Sequence, residues 1–579
     1  MKLILKYLKK YKVLFILNVI SVFGFALVEL GIPTIMAKII DVGIVYNDIP
    51  YIRKMGIIII TISIIGSLGT VLLGYCSSKI STNITRDIRN DIFMKAQEFS
   101  HSEYDKFGIS SMITRTTNDA FQLQQFVNTL LRIALITPVM FTVSLIMIIK
   151  TNLSLSIVLG VTIPFIIVGV FIIAKVSHPM SQKQQKGLDK LNRISRENLT
   201  GIRVIRAFGN DDHESERFKE TNDQYATISK KLNKLMSISQ PTFFFILNMA
   251  IIAIFWISSK MINAGTLEVG QLVAFIEYLF HAMFSIMLFS LVFVMYPRAE
   301  VSANRISELL DEEPLIKNPE NGAKVSTNKG IIEFENVTFT YPDGEEPVLK
   351  DISFTAKNGE TVAFIGSTGS GKSTLINLIP RFYDVTKGSI KINGIDVRNY
   401  DLKALRKKIG FIPQKTLLFT GSIANNIKFG KQNANDEELE HSAKVAQAYD
   451  FISKKPKKFE EKISEGGSNV SGGQKQRLSI ARAIVRKPEI YIFDDSFSAL
   501  DFKTDAILRE KLKKETEDSI VLIVAQRVSS ITEADKIIVL NEGEVVGSGT
   551  HKELLKSCEI YHEIASSQLT EEELLGWRD

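Results

Sequence analysis

Val362-Ala-Phe-Ile-Gly366-Ser367-Thr368-Gly369-Ser370-Gly371-Lys372-Ser373-Thr374 decides the fold of the C-terminal half of the chain. An apolar run enters a glycine-rich turn, and the turn opens into the helix-like Leu375-Ile-Asn-Leu-Ile. In that context G-x-x-x-x-G-K-S reads as a phosphate-binding loop. Glycines let the backbone wrap closely around a polyphosphate, so that successive N–H groups face its negative charge. Lys372 is expected to reach the β and γ phosphates and Ser373 to ligate magnesium. ATP and Mg2+ are the ligands this pattern calls for.

What the loop drives is set by the residues before it. The chain has 579 residues, too many for one core. Its hydrophobic residues, 45% of the total, are unevenly spread. Six apolar segments, at residues 13–30, 55–75, 133–149, 153–174, 243–259 and 269–296, precede a polar stretch. Each reaches or approaches the ~20 residues that cross a hydrocarbon core of ~30 Å. The expected fold class is therefore multidomain. An all-α domain of six transmembrane helices with long cytoplasmic extensions occupies residues 1–310, a linker residues 311–330, and an α/β phosphate-loop NTPase domain residues 331–579.

Five lysines, Lys2, Lys6, Lys9, Lys10 and Lys12, alternate with Leu3, Ile4, Tyr7 and Leu8 and are followed by no small-residue cleavage site. This start is expected to lie on the cytoplasmic interface of the membrane. With it inside, an even number of spans returns the C-terminal domain to the cytoplasm, where ATP is. The chain is thus expected in the cytoplasmic membrane, with the lipid bilayer as one partner. A net charge of +7 without a basic stripe excludes nucleic acid as another. Cys76 and Cys558 fall in different domains and give no metal spacing.

Outside connections are short, as at Lys150-Thr-Asn152, whereas residues 76–132 and 175–241 are long, polar and rich in helix formers. Two turns there, Phe107-Gly-Ile-Ser-Ser-Met-Ile-Thr-Arg115 and Thr200-Gly-Ile-Arg-Val-Ile-Arg-Ala-Phe208, set a glycine beside a short apolar and basic helix. Such turns suit docking on a soluble domain. Within the spans the ionisable residues are Glu29, Glu277 and His281. Charge in hydrocarbon costs on the order of 3 kcal/mol at mid-helix, so these residues pair or face water. Glu277 and His281, four apart, are positioned to pair with each other or to form a polar spot in a substrate cavity, and Glu29 to be hydrated near a helix end.

Downstream of the loop, Ile490-Tyr-Ile-Phe-Asp494-Asp495 is an apolar strand ending in two carboxylates, which places an acid beside the loop's magnesium. Between them lies Val470-Ser471-Gly472-Gly473-Gln474, opening a second helix. Here the chain resembles ATP-binding cassette proteins. The order matches as well: phosphate loop, Gln414 in Ile-Pro-Gln, the Ser-Gly-Gly signature, the acidic strand, then Ser498-Ala-Leu-Asp501. Six spans followed by one cassette is the layout of an exporter half-transporter; an importer or a soluble cassette ATPase does not fit.

The resemblance implies that Tyr341 stacks on adenine and that Gly366 through Thr374 hold the phosphates. It also implies that Gln414 senses the γ-phosphate and contacts the metal, and that Asp494 acts on magnesium. Ser471, Gly472, Gly473 and Gln474 would contact ATP held on the opposite cassette of a dimer. The turns at 107–119 and 200–208 match the family's coupling helices.

Two positions depart from the family pattern. Asp495 stands where a glutamate polarises the attacking water, and Gln526, in Ile523-Val-Ala-Gln526-Arg, stands where a switch histidine is usual. Aspartate withdraws its carboxylate by about one C–C bond, ~1.5 Å, and a misplacement of ~1 Å can cost ~10²-fold in rate. Glutamine cannot take up a proton as imidazole does. The chain thus resembles the degenerate-site half of a heterodimeric multidrug exporter, paired with a second half-transporter and moving amphipathic, drug-like compounds by alternating access. The alternatives are a homodimeric lipid or peptide exporter and a nucleotide-gated channel or regulator on the same fold.

Overall fold

The computed structural model describes residues 1–326 and 330–570. Residues 327–329 of the expected linker and 571–579 of the expected NTPase domain lie outside the described residues. The chain divides into two compact units. One comprises Met1–Gln97 and Ile109–Glu312, the other Glu98–Gly108 and Glu313–Asp579.

The first unit holds six helices long and apolar enough to cross a membrane: Lys2–Ile44, Ile49–Glu98, Ile109–Thr151, Leu153–Phe208, Asp211–Asn263 and Val269–Asp311. They are 43 to 56 residues long. At a rise of ~1.5 Å per residue they run to roughly 65–85 Å, more than twice the ~30 Å of hydrocarbon, and so carry the long extensions expected of them. Ala26, Leu30, Met140, Ile148, Leu159, Leu247, Ile254, Phe275, Leu279 and Met283 form their shared core. Val13, Ile16, Ile20, Ile57, Ile60, Ile64, Leu68 and Val71 stay exposed, as residues facing lipid do.

The first two spans cross where glycines remove side chains. The Gly69 Cβ position lies 3.2 Å from Gly24 Cα, and a Cβ on Gly66 would collide with Val28. Asp41, at the end of the first span, accepts from the Gly270 N–H at 2.6 Å and so caps the start of the sixth. Three short stretches, Ile39–Ile44, Arg115–Asp119 and Leu130–Ala134, take π-helical geometry, which frees carbonyls from the regular ladder. Asn18 donates to one of these, Leu131 O, at 2.8 Å.

His281 does not pair with Glu277. Its Nε2 lies 3.5 Å from Glu29 Oε2 on the first span, and the Glu277 side chain is exposed. Residues four apart share a helix face, but packing turned this face toward the first span, where Tyr278 also meets Thr34 at 2.6 Å.

Among its described residues the second unit contains twelve strands. β1 (Ile331–Phe339), β2 (Leu349–Lys357), β4 (Lys387–Ile392) and β5 (Ile395–Asp396) form an antiparallel sheet in the order β2-β1-β4-β5. The larger sheet runs β12-β11-β3-β10-β9-β6, built from β3 (Thr361–Gly366), β6 (Ile409–Ile412), β9 (Ile490–Asp494), β10 (Ile520–Val524), β11 (Lys536–Asn541) and β12 (Glu544–Gly549). All its pairings are parallel except β11 with β12. β7 (Gly421–Ser422) and β8 (Lys462–Ile463) pair separately.

The central strands are apolar throughout because both faces are covered. Val362 and Phe364 face a core shared with the antiparallel sheet and with Leu375, Ile376 and Leu378. Ala363 and Ile365 face the opposite core, with Leu478, Ile480 and Ile484 of the helix Gly472–Ile484. Cys76 and Cys558 are both free and buried.

The glycine crossing gives a paired expectation. Gly66→Ala should lower the thermal unfolding midpoint of the detergent-solubilised chain, by the equivalent of about 1–3 kcal/mol of overpacking. At Gly74 a Cβ meets nothing within 4 Å, so Gly74→Ala should leave the midpoint unchanged or raise it.

Candidate functional site

The site lies at the C-terminal edge of the large sheet. Parallel register sets Phe364 of β3 level with Val524 of β10, Val524 with Asp494 of β9, and Phe493 with Ile412 of β6. The segments that continue these strands emerge side by side: the phosphate loop, Ala525-Gln526, Asp494-Asp495 and Gln414. Short bonds lock the exits together. The Ala525 N–H donates to Phe364 O at 3.1 Å, the Asp495 N–H to Val524 O at 2.9 Å, and Ser496 Oγ to Ile412 O at 3.0 Å.

Two glycines are required for the loop's path. At Gly366 a Cβ would collide with the Leu540 carbonyl. Gly371, at φ +94°, lies in the left-handed region and would press a Cβ to 2.6 Å from Leu349. Ser367, Thr368 and Gly369 form an exposed tip, whereas Ser370 and Thr374 are buried. Lys372 is drawn back over the loop, donating to Gly366 O at 3.0 Å, Ser367 O at 2.6 Å and Ser370 Oγ at 3.2 Å. Tyr341 reaches the loop from the antiparallel sheet. Its hydroxyl meets Thr374 Oγ1 at 2.9 Å, and its ring packs edge-on against Phe339 and Tyr383.

Ser373 Oγ donates to Asp494 Oδ1 at 3.0 Å. A hydroxyl and a carboxylate meeting at the mouth of a glycine cradle are hard oxygen donors of the kind Mg2+ takes, so these residues fit the cation of a bound MgATP. Beside them, Asp495 Oδ2 accepts from Gln526 Nε2 at 2.9 Å and from Gln414 Nε2 at 3.2 Å. Asp495 itself sits at φ +47°, a left-handed backbone uncommon outside glycine and asparagine. The three positions singled out in the sequence, Gln414, Asp495 and Gln526, are therefore one hydrogen-bonded unit. Their contact across 31 and 81 residues was invisible in the chain order.

Burial governs the electrostatics. It pushes the Asp494 carboxyl above the ordinary carboxylate range, with Asp495 adding to the rise and Ser373 and Lys372 opposing it. Asp495 is likewise raised by burial, against the hydrogen bonds from Gln414 and Ser498. Lys372 is lowered by burial, against the two carboxylates.

The Ser-Gly-Gly turn is organised differently. Ser471 caps its helix, accepting from the Gln474 N–H at 3.4 Å while Gln474 Oε1 accepts from the Ser471 N–H at 3.1 Å. Ser471 and Gly472 are exposed, and Gly473 packs close to the Ala499 carbonyl. The phosphate loop is bonded to the acidic strand; the signature is bonded within its own helix.

At the first of the two expected docking turns, Gly108 separates two short helices, His101–Phe107 and Ile109–Thr114. The segment that belongs to the second unit is Glu98–Gly108, whose helix is His101–Phe107, whereas the residues from Ile109 onward belong to the membrane unit. That helix is bounded at both ends. Ser100 and Glu103 form a capping box, and Gly108 ends the helix at φ +73°. His101 stacks on Phe382 at 4.5 Å, and Glu103 accepts from the Leu315 N–H at 3.1 Å. Burial holds the His101 imidazole below its usual pKa. Just beyond, the π segment turns Arg115 and Asp119 toward the sixth span, to Glu308 at 2.8 Å and Ser302 at 2.8 Å. The second turn, residues 200–208, sits at the tip of the hairpin of the fourth and fifth helices in the membrane unit, with Leu199, Val204 and Phe208 exposed.

Comparison with known proteins covers both units. The family model described as ABC transporter transmembrane region matches residues 15–287, and the one described as ABC transporter matches residues 349–498. An uncharacterized ABC transporter ATP-binding protein of Mycobacterium tuberculosis is 36% identical over 550 residues, 94% of each chain. YfiB of Bacillus subtilis, described in the same words, is 36% identical over 568 residues, 98% of each. A Staphylococcus aureus protein provisionally named a multidrug export ATP-binding/permease protein is 33% identical over 494 residues, 85% of this chain and 86% of its own. In fold the chain matches a bacterial Atm1-family ABC exporter, solved with ATP bound, at a TM-score of 0.79 and 22% identity over 98% of each chain.

The raised Asp494 carboxyl carries a stability signature. A raised folded-state value means that stability present below the unfolded value is lost as pH rises through the folded one. At neutral pH the fold therefore bears a carboxylate it disfavours. Asp494→Asn should raise the thermal midpoint at neutral pH, with a gain that shrinks on acidification, while Mg2+-dependent nucleotide binding is lost. A midpoint equal to or below wild type at neutral pH would contradict this.

Proposed function

Because the chain belongs to the ABC transporter family, we propose that it is one half of a heterodimeric exporter that moves amphipathic, drug-like compounds across the cytoplasmic membrane. Its own phosphate loop binds MgATP and hydrolyses it poorly, and its signature completes a competent site on a second half-transporter.

The observation that carries this reading is the Asp495–Gln526–Gln414 unit. A water positioned for attack needs a carboxylate that extends toward it and a partner that can hold charge through the reaction. Here the carboxylate is short, and one of its oxygens is already occupied by two amide donors. Neither amide can take a proton from it. Binding is left intact by the same geometry. Gly366 and Gly371 shape the cradle, Lys372 supplies charge, and Ser373 and Asp494, with Gln414, hold the cation that neutralises the phosphates. Tyr341, at the edge of the loop, is positioned to pack on the adenine.

The exposed Ser471-Gly472 turn, presented on a well-capped helix, supports a role toward a nucleotide outside its own chain. The name of the Staphylococcus aureus relative supports drug-like cargo, as does the Phe- and Met-rich sixth span. Glu29, His281 and Glu277 supply polar groups among those side chains. Nucleotide binding that favours the closed cassette pair would drive the change from inward to outward access, since a ligand binding both states equally shifts nothing. The docking segments at 101–107 and 200–208 would carry that closure to the spans.

Purified alone, the chain should bind ATP in a Lys372-dependent way and show ATPase near background. Asp495→Glu together with Gln526→His should raise its turnover by on the order of 10²-fold, the cost of a misplaced catalytic group. Robust ATPase from the unmodified lone chain would overturn the heterodimer reading in favour of a homodimer.

A further inference from the structure

The first of the six long helices opens with a short segment, Lys2–Leu8, that the nucleotide chemistry does not use. Leu3, Ile4 and Tyr7 bury one face of it. The other face exposes Lys2, Leu5 and Lys6, and Lys9, Lys10 and Lys12 follow, also exposed. Two phenols fix its orientation: Tyr7 donates to Asp91 at 2.5 Å and Tyr11 to Asp87 at 2.8 Å. At Tyr11 the backbone leaves helical geometry, φ −113° and ψ 35°, so the short helix departs from the line of the span.

Its charge is not spent within the chain. Asp87 is engaged by Tyr11, by Lys10 at 3.5 Å and by Arg86 at 3.0 Å. Lys2, Lys6, Lys9 and Lys12 make no ion pair among the described residues, and the sequence has no acidic residue before Glu29. Immediately beyond, Val13, Ile16 and Ile20 begin the exposed apolar belt.

We infer that residues 2–12 form a binding surface for the anionic headgroups of phospholipids, with Lys2, Lys6, Lys9 and Lys12 on the phosphates and Leu5 and Val13 against the acyl chains. A flexible lysine tail would be solvated and move freely. This one is pinned by two partly buried phenol–carboxylate bonds at the edge of the belt, so its ammonium groups are held at headgroup depth. Lysines beside an anionic bilayer act in concert, each adding roughly fivefold to affinity. Anchoring removes the ordering cost that a disordered basic segment pays on binding.

The test uses the full chain in neutral detergent, with the thermal unfolding midpoint followed as phosphatidylglycerol, phosphatidylcholine or inorganic phosphate is added. Phosphatidylglycerol should raise the midpoint, and the other two should not. The variant K2Q/K6Q/K9Q/K12Q should keep its midpoint in phosphatidylcholine and lose the phosphatidylglycerol response, with affinity down at least 10²-fold, while K2R/K6R/K9R/K12R retains it. An equal shift from inorganic phosphate, an equal shift from phosphatidylcholine, or an undiminished response in the glutamine variant would each overturn the proposal. If the glutamine variant does not fold, native mass spectrometry of the wild-type chain decides. Retention of phosphatidylglycerol should fall steeply with salt, and salt-independent retention would overturn it.

Discussion

Backbone hydrogen bonds hold β3 beside β10 and β10 beside β9, and that register brings Phe364, Val524 and Asp494 level at one edge of the sheet. The nucleotide site depends on it. A slip of one residue would turn every side chain of a strand to the other face, exchanging Val362 and Phe364 for Ala363 and Ile365 between two differently shaped cores. The register is therefore enforced from both sides. Given it, the Ser373–Asp494 bond and the Asp495–Gln526 bond follow, because their residues lie at or just past strand ends. Strands buried on both faces have no solvent-exposed face on which an error could be tolerated.

The membrane unit meets the opposite problem. Apolar side chains gain little by leaving lipid for one another, so close packing has to come from shape. Gly24, Gly66 and Gly69 let the first and second spans approach, and the π segments reroute the ladder where polar groups must reach across. Asn18 on Leu131 O, Asp41 on the Gly270 N–H, Arg115 on Glu308 and Asp119 on Ser302 are polar contacts between helices. They fix which helix faces which, a role that apolar packing alone leaves open.

The phosphate loop, the acidic strand and the six spans were legible because each is a local pattern: glycine spacing, an apolar run closed by carboxylates, or some twenty mostly apolar residues in a row. The two departures, Asp495 and Gln526, were legible one at a time. Their mutual contact was not, since 31 residues separate them and only the sheet order joins them. Of the two readings offered for His281, the structure does not make the pair with Glu277. That partner was sought four residues away on the same helix, yet the rotation of the sixth span gave His281 Glu29 instead. At the first expected docking turn a short helix follows the glycine, Ile109–Thr114, and another, His101–Phe107, precedes it. A glycine followed by a short apolar and basic stretch marks residues 107–115 well, and the Ser100–Glu103 capping box sets the start of the preceding helix at His101.

By itself the sequence determined what each segment is: strand, span, cradle or cap. Those properties follow from residue types within a few positions of one another, where backbone preference and hydrophobic period act. Tertiary structure alone decided which segments meet. It placed two amides on the carboxylate that ends β9, gave Glu29 rather than Glu277 to His281, and set Tyr341 from the neighbouring sheet against Thr374. Such contacts depend on strand order and helix rotation. Both are settled by the packing of whole faces, whose balance is spread over many residues and written in no single stretch of the chain.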